Sequence, residues 1–193
     1  MGKRLFTSDL HLGHSKVSEL RGYASTDDHD AAIIDAWRRT VSKDDIVYVL
    51  GDISVGKITY ALDTIAGLPG SKRLIAGNHD YCHPLFRGAE KKQSTYLRVF
   101  DSIQLHGRID LFGKQLLLSH LPYAPQERDP EREIRYDQWR PRDVGARLLC
   151  GHVHEAWHTN GRQFNVGVDH HLAPWSEYEL KDWITTPLPV DPA

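Results

Sequence analysis

The chain has 193 residues, 26 % of them charged, and a formal net charge of −2. That length suits one domain burying roughly 70 % of its unfolded surface, enough to hold a polar site on a rigid core. The charge gives no global attraction to nucleic acid or an anionic membrane, no stretch approaches the ~18 apolar residues of a membrane span, and Met1-Gly2-Lys3-Arg4 leads at once into a strand-like run, so a cytoplasmic protein is expected.

In chain order, Leu5-Phe6-Thr7-Ser8 reads as a first strand running into Asp9-Leu10-His11, then the glycine-bearing loop Leu12-Gly13-His14. Ser25-Thr26-Asp27-Asp28 supplies capping residues and negative charge ahead of Ala31, Ile34, Ala36 and Trp37, whose spacing predicts a helix from about Asp28 to Val41. Asp44-Asp45 turns the chain into Ile46-Val47-Tyr48-Val49-Leu50, a continuous apolar run of the kind buried on both faces of a sheet, which stops at Gly51-Asp52. Ile58, Ala61, Leu62 and Ile65 mark a second helix, ended by Gly67 and the Pro69-Gly70 turn. A third strand from Lys72 to Ala76 hands over to Gly77-Asn78-His79-Asp80. Alternating strands and helices predict parallel βαβ units, whose ligands collect at the carboxyl ends of the strands.

From Tyr96 to Ser119 two strand-like runs flank Gly113-Lys114, which predicts a hairpin and a second, more antiparallel region. Its last strand, Leu116-Leu117-Leu118-Ser119, ends at His120. Leu121 to Asp143, rich in Pro, Arg and Glu, reads as a functional surface loop with at most a short helix. Strands follow at Arg147 to Cys150, ending in Gly151-His152-Val153-His154, and at Arg162 to Val168, ending in Asp169. Ser176 and Glu179 are spaced as a capping box for a helix over Glu177 to Ile184. A single domain is expected over residues 1 to 186, with 187 to 193 as a flexible tail. The two cysteines, Cys82 and Cys150, are expected to be reduced thiols packed as small hydrophobes.

Five strand ends thus deliver only Asp, Asn and His, in a chain with 12 histidines. In Asp9-x-His11 and His152-x-His154 two side chains one residue apart reach a common point only from extended or loop backbone, since a helix would point them ~200° apart. One such pair is most often a surface histidine beside an acid; five placements after buried strands point to a metal centre. Carboxylate, imidazole and amide donors without thiolate suit Mn²⁺, Fe²⁺ or Zn²⁺, and Asp52, central in sequence, is the candidate to bridge two ions. His29, His83, His106, His158, His170 and His171 lack this placement and are expected at the surface or behind the ligands. Asn165 and Asp169 are candidates to hydrogen-bond a ligating imidazole. The loop arginines Arg128, Arg132, Arg135, Arg140 and Arg142 read either as a solvated face or as phosphate clamps.

Asp9-x-His11, Gly51-Asp52, Gly77-Asn78-His79-Asp80, His120 and Gly151-His152-x-His154 resemble, in order and in kind, the five motifs of the calcineurin-like metallophosphoesterases. The resemblance spans residues 9 to 154, with Asp80 where many members have Glu. Leu12-Gly13-His14, Trp139 to Asp143 and Asn165 to Asp169 are similar to a small bacterial and phage branch. The resemblance implies an α/β fold, a four-layer α/β/β/α sandwich of two mixed β-sheets flanked by helices. It also implies that Asp9, His11 and His154 hold one metal and Asn78, His120 and His152 the other, with Asp52 bridging. Two divalent ions are expected, Mn²⁺ foremost, with Fe, Zn or Ni as alternatives. A hydroxide bridging them would be the nucleophile, and His79 the general acid. Asp80 either orients His79 or holds its loop through backbone N–H groups. His14, Asn78 and Arg140 are candidate substrate contacts.

The implied activity is phosphoester hydrolysis, with a phosphodiesterase preferred because His79 and His14 supply donors for an alkoxide leaving group. The alternatives are a phosphomonoesterase or nucleotide phosphatase of the same fold and, from another class, a non-catalytic protein-binding scaffold, disfavoured because all seven ligand positions and His79 are intact. The substrate is expected to be a small molecule or nucleotide. Nucleic acid remains open through a local arginine patch, and the oligomeric state is open too.

Overall fold

The computed structural model describes residues 2–125 and 135–188. Arg128, Arg132 and most of the expected tail lie outside them. The chain opens with β1 (Arg4–Thr7), a short helix α1 (Ser15–Leu20) and α2 (Thr26–Thr40), then β2 (Ile46–Val49), α3 (Ile58–Ala66) and β3 (Ser71–Ile75). Helix α4 (Ala89–Tyr96) leads to β4 (Ser102–Gln104), which is followed by β5 (His106–Leu111), β6 (Lys114–Ser119) and β7 (Arg147–Cys150). Two short strands, β8 (Thr159–Asn160) and β9 (Gln163–Asn165), precede β10 (Trp175–Ser176) and α5 (Lys181–Thr185). They form an α/β fold of two mixed sheets with flanking helices, in the orders β10-β1-β2-β3-β4 and β5-β6-β7-β9-β8. Strands β1 to β4 are mutually parallel, as are β6, β7 and β9, whereas β5 pairs antiparallel to β6 as the Gly113 turn predicted.

Period-two alternation in β1 and β2 sends Leu5, Val47 and Val49 outward, where Ile33 and Trp37 of α2 and Ala61, Leu62 and Ile65 of α3 cover them. Each such side chain, fully buried, is worth ~1.5–3 kcal/mol. Trp37 is anchored further by its indole N–H, which donates to Pro69 O at 3.0 Å. On the inner face Phe6, Leu50 and Ile75 meet Leu116, Leu118, Leu149 and Phe164 of the second sheet, with Leu180 and Ile184 in the same cluster. Outward on the second sheet, Leu148 and Cys150 pack with Tyr123 and Trp157. Both cysteines are free and buried. Among the described residues no helix is long and apolar enough to cross a membrane.

Several boundaries differ from expectation. Helix α1 follows the Leu12-Gly13-His14 loop in a stretch to which sequence patterning assigns no element; it has six residues and is capped by His14, whose Nδ1 accepts from Val17 N–H, rather than by one of the usual short polar side chains. The Ser176–Glu179 box forms, with Glu179 Oε2 accepting from Ser176 N–H at 2.7 Å, yet it closes a turn, and the helix starts only at Lys181. The strand expected through Val168 stops at Asn165, whose Oδ1 accepts from Gly167 N–H at 2.9 Å and bends the chain.

Candidate metal centre

The parallel strands of both sheets end at one edge, and the loops leaving them are stitched together by backbone bonds. Asp9 N–H donates to Gly51 O, His11 N–H to Asp52 O, and Gly151 N–H to His120 O, all at 3.0 Å. The glycines make this approach possible. A Cβ on Gly77 would lie 2.3 Å from Asp52 Oδ1, and one on Gly151 1.9 Å from Ser8 Oγ. The resulting corners are tight: Asp9, His11, Asp52, His152 and His154 have φ of 58°, 47°, 55°, 73° and 48°. Non-glycine residues rarely adopt this left-handed conformation, at about 1–3 kcal/mol each, and it clusters where surroundings dictate it for function.

These corners bring the side chains into two clusters, Asp9 with His11 and His154, and Asp52 with His120 and His152, the ligating atoms within each lying inside 4.8 Å of one another. Asn78 joins the second: its Oδ1 lies 3.0 Å from His120 Nε2. Asp52 lies between the two, its Oδ2 being 4.0 Å from His11 Nε2 and 3.3 Å from His120 Nε2.

His11 is the informative member. It is 2 % exposed, and neither ring nitrogen has a hydrogen-bond partner among the described residues. Burial lowers its pKa to about 3, so the ring is uncharged at neutral pH, with Nε2 3.9 Å from Asp9 Oδ1 and 4.0 Å from Asp52 Oδ2. A buried polar atom without a partner costs about 1–3 kcal/mol, and a divalent cation is the group that two carboxylates and a neutral imidazole would together satisfy. The donor set fits.

Two of the candidate ligating rings, His120 and His154, are oriented from behind. His120 Nδ1–H donates to Leu50 O at 2.7 Å, which turns Nε2 toward Asp52. Burial disfavours its charged form, but the Asp52 carboxylate outweighs this and raises the pKa to about 10. Burial likewise opposes ionisation of Asp52, yet His120 holds it below the usual carboxylate range. His154 Nδ1–H donates to Asp169 Oδ2 at 3.0 Å, a bond that raises its pKa. His152 is lowered to about 4 by burial and by neighbouring His120.

Asp169 was within reach of sequence reasoning; its other partner was not. Arg21 grips it with Nε and Nη2 at 2.8 Å each, and Nη2 also donates to Asp9 O at 2.8 Å. Its Nη1 lies 2.9 Å from His29 Nε2, which accepts, while His29 Nδ1–H donates to Asp30 Oδ1 at 2.7 Å. Asp30 Oδ2 in turn accepts from Gly13 N–H at 2.8 Å and Tyr60 O–H at 2.9 Å. A buried polar chain therefore runs from His154 to the Leu12-Gly13-His14 loop. Asn165 meets the backbone of His154, its Nδ2 donating to the carbonyl at 2.7 Å, and not the ring.

His79 stands at the mouth, its side chain 42 % exposed and Nε2 4.0 Å from Asp52 Oδ2. Asp80 is fully buried and accepts from Gly77, Asp52 and Ile53 N–H at 2.8, 3.0 and 3.2 Å. Burial and the Asp52 charge push its carboxyl up to about 7. His14, whose Nδ1 is taken by Val17 N–H, keeps its proton on Nε2 with its ring 6.2 Å from that of His11. Arg140 donates to Arg135 O and Pro122 O at 3.3 and 3.4 Å, clasping the two sides of the long loop. Arg135 and Arg142 are exposed.

With this geometry in hand, known proteins offer a comparison. A family model, the calcineurin-like phosphoesterase superfamily domain, matches residues 5–168. The Gene 66 protein of Mycobacterium phage D29 is 44 % identical, covering 89 % of this chain and 92 % of its own length, and that of phage L5 is 42 % identical, covering 88 % and 87 %. Among solved structures, the protein of unknown function AQ665 from Aquifex aeolicus superposes with a TM-score of 0.68 at 26 % identity, over 95 % of this chain and all of that one.

Proposed function

We propose a dinuclear phosphodiesterase mechanism for this chain, which belongs to the calcineurin-like phosphoesterase superfamily and is a metal-dependent phosphoester hydrolase. The observation that carries the reading is His11, buried between Asp9, Asp52 and His154 with no hydrogen-bond partner among the described residues. Asp9, His11 and His154 would hold one ion, Asn78, His120 and His152 the other, and Asp52 both. When bound, such a pair supplies an activated water and draws charge off the phosphoryl oxygens. Oxygen and nitrogen donors without thiolate favour Mn²⁺, with Fe, Zn and Ni as competitors.

The remaining steps belong to side chains. His79, exposed at the mouth, donates a proton to the leaving oxygen, a role typically worth 10²–10⁴-fold. Asp80 positions the loop that carries it, through its three backbone bonds. His14 offers its Nε2–H to a phosphate oxygen. A diester is favoured because, among the described residues, Arg21 and Arg140 are committed to protein acceptors, leaving the imidazoles of His14 and His79 to meet a monoanion.

The test is metal analysis of chain saturated with Mn²⁺, where two ions per chain are expected, followed by bis-p-nitrophenyl phosphate and p-nitrophenyl phosphate as substrates. One ion or none sinks the dinuclear reading. His79→Ala should keep both ions and lose far more turnover on alkyl esters than on p-nitrophenyl esters, whose phenolate leaves without a proton; equal losses remove His79 from the acid role.

A further inference from the structure

We infer that the organic part of the phosphoester lies in the cleft beside α1, and that it carries a flat, largely apolar ring; this rests on the hydrolase reading above. The cleft has a volume of about 740 Å³, inside the ~300–1,000 Å³ typical of small-ligand sites. Val17, Leu20 and Tyr23 line it from α1 and the turn after it, and Val153, Ala156 and Leu172 from the segments following β7 and β9.

Its inner end is continuous with the metal centre. His154 borders the cleft and stacks on His11, ring centroids 5.2 Å apart and planes at 17°. A phosphate held at Asp9, His11 and His154 therefore has the cleft as adjoining covered space for whatever it is esterified to.

The lining decides what that group is. Among the described residues Arg21 is the one lysine or arginine in the lining, and its guanidinium is committed to Asp169, Asp9 O and His29. Glu155, exposed beside it, repels anions. Among the described lining residues a second phosphate or a nucleic-acid backbone finds no uncommitted lysine or arginine, whereas an apolar ring finds apolar flanks and a carboxylate able to accept from a polar edge. Leu20 at the lip is 74 % exposed, an apolar side chain that gains roughly 25 cal/mol for each Å² such a ring covers.

The experiment titrates isotope-labelled full chain, saturated with diamagnetic Zn²⁺, with thymidine 5′-monophosphate and separately with ribose 5-phosphate, following backbone amides by NMR. Saturable shifts at Val17, Leu20, Ala156 and Leu172 are expected with the thymidine compound, with ribose 5-phosphate at least tenfold weaker. Leu20→Asp, on an exposed position, should remove most of that preference. Equal affinity for the two compounds, or shifts confined to residues away from the cleft, would overturn the assignment. Thymidine 5′-(p-nitrophenyl phosphate) and methyl p-nitrophenyl phosphate then separate the two readings. A lower KM for the thymidine ester supports both, and cleft binding without turnover of either ester rejects the hydrolase reading while the ring site stands.

Discussion

Arg21 makes five contacts through one guanidinium, two of them to Asp169 and two to the backbone of Asp9 and Leu10, so it fixes both the imidazole His154 and the corner that carries Asp9. Its planar fork matches this arrangement, and lysine, a point charge on a flexible stem, does not. Arg21→Ala leaves the Asp169 carboxylate buried with one partner fewer and His154 free to turn. Partners behind a ligand are typically worth 10–100-fold in metal affinity. Arg21→Ala and Arg21→Lys should therefore both weaken one ion by that factor and leave the other unchanged, read by titration calorimetry of metal-stripped protein. An equal loss at both sites, or full rescue by lysine, would count against this reading.

At the scale of elements, the turns that leave the strands hold the centre together, and their glycines are the sensitive points. Gly151→Ala drives a methyl to 1.9 Å from Ser8 Oγ and 2.4 Å from Asp9 Oδ2, so the β7 corner must retreat from the β1 corner. Overpacking of this kind costs about 1–3 kcal/mol. The variant should unfold several degrees earlier and take up less metal, measured by thermal melts with and without Mn²⁺; an unchanged melt and full metal content would show that the corner yields freely. The strand ends that carry the candidate ligands were legible in the sequence because a buried run stopping at Gly51-Asp52 or Gly151-His152 is a local signal. Helix α2 was legible for the same reason, Ser25 and the acidic first turn marking its start. Helix α4, with the mostly polar sequence Ala89 to Tyr96 and a glycine at its cap, carries no such mark. Nor does the Arg21–Asp169 pair, which joins residues 148 apart.

For the molecule as a whole, five candidate ligand residues in left-handed backbone are strain that the two-sheet core must offset. Bound metal returns part of it: an ion at 100 times its dissociation constant adds ~2.7 kcal/mol to stability. Without metal, a histidine buried in its neutral form makes the fold acid-sensitive. His83, outside the proposed ligand set and 4 % exposed, accepts from Leu85 N–H at 3.0 Å and packs edge-on against Trp139. Burial lowers its pKa to about 4, with His120 and His106 adding to the shift and Asp52 opposing it. The unfolded chain takes up this proton below about 6.5 and the folded chain only near 4, so the stability His83 contributes is full above pH 6.5 and is lost as pH falls through that window. The loss amounts to about 2–3 kcal/mol. In urea titrations of metal-free protein, the gap in unfolding free energy between wild type and His83→Gln should shift by that amount against the wild type from pH 7 to pH 4.5. Parallel losses in the two proteins would mean that a neutral, buried His83 is not what makes the fold yield to acid.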